Sequence, residues 1–424
     1  MEKKPINYRP RVADSQLAFK LQTFGATVVV GPKWCGKSTT AERQAKSILW
    51  LHDPDFRASY LETATVKPSL LLRGERPRLL DEWQDIPALW DAVRLAVDAE
   101  RDQGLFILTG SVSFNPKAVR HSGTGRISRL KMHTMSLFER GASAGVVSLA
   151  DVCAGKDIGV QTAESPSVET LASFVVCGGW PGAVGKSPRQ AALIPREYVE
   201  NVIRIDARKV GGIERDSSRI RKCLRSLARN ESTTASTATI QRDIAETDDS
   251  SLGINTVTSC LDVFRRMFLT DDIEPFSTFL RSPARIKQAP KRHFCDPSIA
   301  AALLGASVPM LLRDLRTFGF LFESLALHDL AVYAQALDAK LFHYQDYDGR
   351  EIDAVVQFPD DTWSAFEIKL NPAQVDDAAA RLKKIASVFR HNPPASLSVI
   401  VGKAGMAYRR PDGVYVLPLT ALRP

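Results

Sequence analysis

The stretch VVVGPKWCGKSTT, residues 28–40, constrains the fold of this chain more than any other part of its sequence. Two glycines, a lysine and a serine follow the spacing G-x-x-x-x-G-K-S of a phosphate-binding loop. Glycines let the backbone N–H groups turn inward, and no side chain then blocks a phosphate from approaching them. A helix that starts at such a loop points its positive dipole end at the anion. The predicted nucleotide-binding residues of this loop are Gly31, Gly36, Lys37, Ser38 and Thr39.

Two side chains of the loop have predicted chemical roles. Lys37 would reach the β- and γ-phosphates of ATP, and the hydroxyl of Ser38 would be a ligand of Mg²⁺. The β-branched residues before the loop and the helix-forming residues after it are typical of a strand–loop–helix unit. A glycine turn with only a structural role is the alternative.

An acidic pair lies in LLDEWQD, directly after two leucines. At the C-terminal end of a strand beside the loop, Asp81 would hold the Mg²⁺ shell, and Glu82 would orient and polarise the attacking water. A solvated acidic pair that opens the next helix is the alternative, because carboxylates are favoured there. Arg78 precedes the leucines, so we expect this strand to be shorter or more exposed than a buried central strand.

Further polar groups follow the apolar strand in FILTGSVSF, which ends at Thr109 and Ser111. A side chain there would touch the γ-phosphate or the attacking water, whereas TGS is also an ordinary tight turn. Downstream, GTGRISRL offers Arg126 and Arg129. An arginine such as Arg126 would stabilise transition-state charge on the γ-phosphate of a neighbour in a homo-oligomer. A simple surface arginine is the alternative.

The pattern of apolar residues divides the 424 residues into three predicted domains, at 1–150, 151–305 and 306–424. Alternating strands and helices fill the first domain, which is the pattern of a parallel α/β sheet. The second is mostly helical, and the third is a long helix followed by strands. Residues 141–170 are poor in large apolar side chains and are expected to be a loop-rich connection.

Composition limits the class of protein. With 44% apolar and 25% charged residues, the chain is globular, and its net charge of +8 slightly favours anionic partners. The six cysteines are far apart, which indicates reduced thiols and neither a zinc site nor a disulfide framework. The first residues lack the apolar core of a signal peptide, and no apolar run approaches ~18 residues. We therefore expect a cytoplasmic protein with no membrane partner.

A second candidate site lies in EIDAVVQFPDDTWSAFEIKL. Positions i and i+2 of a strand face the same side, so Glu367 and Lys369 point together, and a hairpin would bring Asp353 alongside. The two carboxylates would bind Mg²⁺, and Lys369 would position the water or stabilise the developing charge. Glu323, on the preceding helix, would be a third acidic ligand. An ion pair on a half-exposed strand is the alternative.

The middle of the chain has the pattern helix, turn, helix and wing, with residues 256–264 as the predicted recognition helix. Leu261 and Phe264 would face inward. Few cations face outward before Arg265 and Arg266, so docking to a protein is the alternative to contact with DNA. The next segment, RSPARIKQAPKRHF, is more basic and would grip phosphates or form a solvated hairpin. Its cations are Arg281, Arg285, Lys287, Lys291 and Arg292.

The order of GPKWCGKST, LLDEWQDIP, ILTGS and GRISRLKMHTMSLFE resembles that of a large bacterial and archaeal group of AAA-type ATP-binding proteins. CGGWPGAV, PKRHFCDPSIAAALLG and FGFLFESLALHDL are also similar to that group, whose C-terminal half is a domain of unknown function. The resemblance implies an AAA-type P-loop ATPase core, a winged-helix-like middle and an endonuclease-like end. The acids and lysine of the second site resemble the D…ExK core of restriction-endonuclease-like α/β folds.

The predicted function is Mg²⁺-dependent ATP hydrolysis, coupled to a nuclease-like C-terminal module that associates with DNA. The alternative is a slow nucleotide switch that regulates a protein partner through a C-terminal docking domain that does not cut. A P-loop kinase is less favoured, because no acceptor-binding motif stands out.

Overall fold

The computed structural model describes residues 8–111, 121–207, 216–247, 252–277, 289–346 and 348–424. Its contacts divide the chain into two units. The first unit comprises Met1–Thr134 with Arg265–Leu269, and the second comprises Met135–Phe264 with Thr270–Pro424.

A five-stranded parallel sheet forms the centre of the first unit, in the order β2-β3-β4-β1-β5. β1 is buried along its whole length, as its unbroken apolar sequence predicts for a strand with neighbours on both sides. The strands are β1 (Ala26–Val30), β2 (Ser47–Trp50), β3 (Arg78–Asp81), β4 (Phe106–Gly110) and β5 (Ile127–Lys131).

Both faces of this sheet are covered, because alternate side chains of each strand point in opposite directions. Val28 and Val30 belong to one apolar cluster and Val29 to the other. Leu17 packs in the cluster of Val29, and Leu89 in that of Val28. The helices of this unit are α1 (Val12–Thr23), α2 (Lys37–Glu42), α3 (Arg57–Val66) and α4 (Ala88–Glu100).

β3 is the strand that carries the acidic pair at its end. It has four residues, so it is short, but Leu79 and Leu80 are fully buried between β2 and β4. Arg78 lies at its first position and donates hydrogen bonds to Leu71 O and Ser47 Oγ, at 3.2 and 3.1 Å. The arginine is thus accommodated within the strand, and its leucines stay buried.

A seven-stranded mixed sheet, in the order β7-β12-β13-β11-β10-β9-β8, forms the centre of the second unit. β10 pairs antiparallel with β9 and parallel with β11. β6 and β14 form a separate parallel pair. These strands are β6 (Val147–Ser148), β7 (Gln161–Thr162), β8 (Lys340–Gln345), β9 (Glu351–Gln357), β10 (Trp363–Lys369), β11 (Ser396–Val401), β12 (Met406–Arg409), β13 (Tyr415–Pro418) and β14 (Leu422–Arg423).

The helices of the second unit precede and cover this sheet. They are α5 (Leu149–Cys153), α6 (Val168–Cys177), α7 (Pro188–Ala191), α8 (Leu193–Asn201), α9 (Ser217–Arg229), α10 (Thr237–Thr247), α11 (Ile254–Arg266), α12 (Pro297–Leu303), α13 (Val308–Arg313), α14 (Leu315–Ala336) and α15 (Val375–Ala386). α15 packs on β10 and β11, and α14 packs on β8. None of the helices in the described ranges has the length and apolar character needed to cross a membrane.

Three consecutive helices, α9, α10 and α11, are followed by antiparallel bridges between Thr270 and Phe294 and between Ile273 and Lys291. Leu261 and Phe264 on α11 are buried, as their spacing predicts. The assignment of this region as a winged helix stays a prediction, as does the division of the chain into three domains.

Candidate functional site

The loop between β1 and α2 depends on its two glycines. Gly31 has a φ of +154°, and a Cβ atom at this position would lie 2.2 Å from Met132 O. Gly36 has a φ of +102° and is the N-cap residue of α2. Both backbone conformations favour glycine, because a side chain is strained at positive φ. The loop can therefore present its backbone N–H groups at the start of the helix.

Lys37 lies across this loop. Its side chain is buried, and its Nζ donates hydrogen bonds to Gly31 O at 3.1 Å and to Pro32 O at 2.8 Å. These carbonyl oxygens are neutral acceptors, so an anionic phosphate oxygen at the same place would be the stronger partner for the ammonium group. Contact between Lys37 and a phosphate stays a prediction.

Asp81 is the centre of a hydrogen-bond network at the ends of β3 and β4. The carboxylate is 2% exposed, and its Oδ1 accepts hydrogen bonds from Ser38 Oγ and Thr109 Oγ1, each at 2.6 Å. His52 Nδ1 lies 3.4 Å from its Oδ2. A hydroxyl and a carboxylate in contact are the oxygen donors that Mg²⁺ prefers. Ser38 and Asp81 therefore fit the metal predicted for them.

Glu82 follows with a φ of +55°, which is uncommon for a residue with a side chain. Its N–H donates to Thr109 Oγ1 at 3.2 Å, and its Oε2 accepts from Ser111 Oγ at 3.1 Å and from Gln84 Nε2. Thr109 therefore links the two acids, and Ser111 and Gln84 hold the carboxylate of Glu82. Sequence reasoning missed Gln84, although it lies only two residues beyond Glu82.

Two other predicted nucleotide contacts lie apart from this network. Thr39 is a half-buried residue of α2. Arg126 is half-exposed, and its Nε donates to Asp98 Oδ1 at 2.7 Å. A solvent-exposed ion pair of this kind contributes little to stability, so Arg126 can exchange its partner at little cost. Contact between Arg126 and a neighbour's phosphate stays a prediction.

The second site brings Asp353, Glu367 and Lys369 together on β9 and β10. Lys369 Nζ lies 3.3 Å from Asp353 Oδ2 and 2.9 Å from Glu367 Oε2. Asp353 Oδ2 also accepts the N–H of Ile368 at 2.8 Å. Arg381 Nη2, on α15, contacts Glu367 Oε2 at 2.5 Å, and sequence reasoning missed this residue. The side chains thus meet across the hairpin, as the alternation along the strands predicts.

Lys291 corrects an interpretation made from the sequence. It is 1% exposed, and its Nζ lies 2.5 Å from Glu323 Oε1, 3.2 Å from Glu351 Oε1 and 3.9 Å from Asp353 Oδ1. A lysine buried among three carboxylates neither grips phosphates nor belongs to a solvated hairpin. Its positive charge instead balances the acids of the second site.

Arg292 needs the same correction. It is buried, and its Nη1 and Nε donate to Asp272 Oδ2 at 2.6 Å and to Ala235 O at 2.9 Å. It therefore holds two segments of the second unit together. The other cations of this basic segment, Arg281, Arg285 and Lys287, lie outside the described residues.

Two lysines lie between the carboxylates of the predicted metal site, Glu323, Asp353 and Glu367. Lys291 lies between Glu323 and Asp353, and Lys369 lies between Asp353 and Glu367. In the described part of the chain, no group of three or more His, Cys, Asp or Glu side chains is placed to hold a metal ion. Glu367 Oε1 is buried and accepts no hydrogen bond from the described residues. A metal held by Asp353 and Glu367 alone stays a prediction.

Burial changes the proton affinities of this charge cluster. It raises the pKa of Glu323 to about 8, although Lys291 opposes the shift. Burial and the charge of Asp353 raise the pKa of Glu367 to about 7. Burial alone would lower the pKa of Lys291, but its three carboxylates raise it well above the ordinary value. Lys291 therefore stays charged at neutral pH.

The raised pKa of Glu323 predicts a pH dependence of stability. The folded state holds the proton of Glu323 more tightly than the unfolded state does, so protonation of this side chain stabilises the fold. This stabilisation is complete below pH 4.5 and is lost as the pH rises through about 8. We expect the wild type to lose stability relative to Glu323→Gln over this range, as thermal melting at several pH values would measure. Glu246→Gln, at an exposed position of α10, should follow the wild type. Parallel melting curves for wild type and Glu323→Gln would contradict the assignment.

Three family models match separate parts of the chain. Residues 23–140 match an AAA domain. Residues 168–309 and 318–422 each match a domain of unknown function (DUF8612 and DUF4143). The AAA-type P-loop ATPase core expected from the sequence is therefore confirmed, and the chain carries an ATPase domain.

A Walker-type ATPase of Pyrococcus abyssi is similar in structure, with a TM-score of 0.43 and 13% sequence identity, over 70% of this chain and 96% of that chain. No curated relative matches the chain.

Proposed function

We propose that this protein hydrolyses ATP with Mg²⁺ at the loop site, and that turnover changes the conformation of its C-terminal half. The observation that carries the proposal is the hydrogen-bond network that connects Ser38, Asp81, Thr109 and Glu82. The network supports the proposal because it joins the hydroxyl and carboxylate that would hold Mg²⁺ to the carboxylate-bearing residue Glu82, which would act on the water.

Each residue of the network has one task in the reaction. Lys37 turns from the loop carbonyls to the phosphate oxygens of ATP, while Ser38 and Asp81 would hold Mg²⁺. When bound, the metal neutralises charge on the β- and γ-phosphates. Glu82 orients the attacking water and accepts its proton. Ser111 and Gln84 keep the carboxylate of Glu82 in position through their hydrogen bonds.

The C-terminal module is proposed to be nuclease-like in its core and to associate with DNA without cutting it. Three cationic side chains contact its four carboxylates, so most of the negative charge that would attract a metal is already balanced. The basic composition of the chain supports a nucleic acid as the partner.

A slow nucleotide switch that regulates a protein partner is the second candidate. The outward side chains of α11 favour it, because they include Asp262 and few cations before Arg265. A measurement of phosphate release distinguishes the two functions. Steady release would support the ATPase whose turnover changes the conformation of the C-terminal half, and ATP binding without release would support the switch.

Lys37→Ala tests the nucleotide site itself. Loss of the ammonium group removes charge-assisted hydrogen bonds to phosphate, so we expect the Kd for Mg-ATP to rise by about a hundredfold or more. Titration with a fluorescent ATP analogue would measure this. Lys46→Ala, which removes an exposed lysine after α2, should bind as the wild type does. Equal affinity of Lys37→Ala and wild type would show that ATP binds elsewhere.

A further inference from the structure

Arginines line a cavity of about 610 Å³ in the second unit, beside α8, α9 and the end of α12. Neither the loop site nor the charge cluster of the second site includes these residues. We call this cavity the arginine pocket. It is defined by Arg196, Glu200, Arg221, Arg225, Arg229 and Leu303.

Three of these arginines form one stripe on α9. Arg221, Arg225 and Arg229 are four residues apart, so they share a helix face at intervals of about 6 Å along its axis. The helix sequence SSRIRKCLRSLAR contains five cationic residues and no carboxylate. Their mutual repulsion is therefore not relieved within the helix.

Neighbouring acids neutralise only part of this charge. Arg221 donates two hydrogen bonds to Glu200, each at 2.8 Å, and Arg229 lies 2.7 Å from Asp243. Arg196 and Arg225 have no hydrogen bond or ion pair with the rest of the described structure. Four arginines and one carboxylate thus converge on a concave surface, which concentrates positive potential.

The shape and chemistry of the pocket indicate its ligand. Guanidinium groups match the geometry of phosphate oxygens, and a row of them at regular intervals suits an anion that repeats along a chain. Leu303 and Leu304, which are partly exposed, add apolar surface on which a nucleobase can lie. The proposed DNA association also needs a cationic surface, and the outward side of α11 supplies few cations before its last turn.

We propose that the arginine pocket binds the phosphate groups of a nucleic-acid strand. Arg196 and Arg225 contact phosphate directly, and Glu200 holds Arg221 in place beside them. This inference rests on the proposed association with DNA and adds the site at which it occurs. It does not depend on ATP hydrolysis.

The test uses the full-length protein and a fluorescent single-stranded oligonucleotide, with anisotropy measured over a series of salt concentrations. Arg196→Gln/Arg225→Gln should weaken binding by about tenfold or more at low salt. The plot of log K against log salt concentration should also become less steep, by about 1 to 2 in slope. Each phosphate contact to a single strand contributes about 0.7 to that slope, and two contacts are lost. Arg219→Gln/Arg242→Gln is the matched control, because it removes the same charge from exposed positions outside the pocket. It should bind almost as the wild type does.

Other results would overturn the inference. If the wild type binds the oligonucleotide and both double variants bind equally well, DNA association stands but the pocket is not its site. If the wild type shows no binding at low salt, the association and the pocket both fail, while ATP hydrolysis remains to be judged by phosphate release. Inorganic phosphate that competes at low concentration would assign the pocket to a free phosphate ligand. A polyglutamate peptide that binds the wild type as tightly as the oligonucleotide would assign it to carboxylates.

Discussion

Glu82→Gln is expected to bind Mg-ATP as tightly as the wild type and to lower kcat by about 10²–10⁴-fold. The amide can still accept the hydrogen bond that Ser111 donates to Glu82, so the local structure should persist. It cannot accept a proton from the attacking water, however, and it polarises that water less than a carboxylate does. The measurement is steady-state release of phosphate, together with ATP affinity on the same preparation.

A neighbouring acid provides the control for this variant. Asp85→Asn removes the same charge three residues further along, at a half-buried position. The backbone N–H of Asp85 donates to Glu82 O at 3.0 Å, a bond that the substitution keeps, and its side chain is not part of the hydrogen-bond network of Asp81 and Glu82. It should turn over at a rate close to that of the wild type. Hydrolysis by Glu82→Gln at the wild-type rate would show that another group activates the water, and the catalytic role of Glu82 would be wrong.

The parts of both sites that could be predicted from the sequence are those set by local geometry. The loop of Gly31 and Gly36 follows from spacing alone, because the requirement for positive φ acts within a few residues. The contact between Glu367 and Lys369 follows from the two-residue period of a strand. Neither prediction needs knowledge of how distant segments pack.

The parts that could not be predicted depend on distant pairings. Lys291 lies in a basic segment that is typical of a solvated surface, and only the approach of α14 and β9 buries it beside Glu323 and Glu351. The region 141–170 was expected to be a loop-rich connection, yet it contains β6 and β7, which pair with β14 and β12. Strands of two residues carry no periodic signal, so their existence is decided by their partners.

Lys291→Met has the largest expected effect on stability, because it leaves Glu323, Glu351 and Asp353 without their shared cation. Removing one partner of a buried ion pair costs about 3–5 kcal/mol, since the remaining charges stay out of water. We expect the second unit to melt at a clearly lower temperature than in the wild type. Lys384→Met, at an exposed position of α15, is the control and should melt as the wild type does.

Two further experiments test whether the stability lost in Lys291→Met comes from unpaired negative charge. Above the pKa of Glu323, about 8, Lys291→Met/Glu323→Gln should recover part of the lost stability, because one unpaired carboxylate is gone. A double-mutant cycle at that pH measures the coupling between the two side chains. Mn²⁺ or Mg²⁺ should raise the melting temperature of Lys291→Met, since the freed carboxylates then bind a divalent cation and the folded state gains by mass action. The wild type should respond much less, because Lys291 and Lys369 already supply that positive charge. If the metal stabilises wild type and Lys291→Met equally, a metal binds Asp353 and Glu367 even with the lysines present. DNA cleavage would then again be a candidate function of the module.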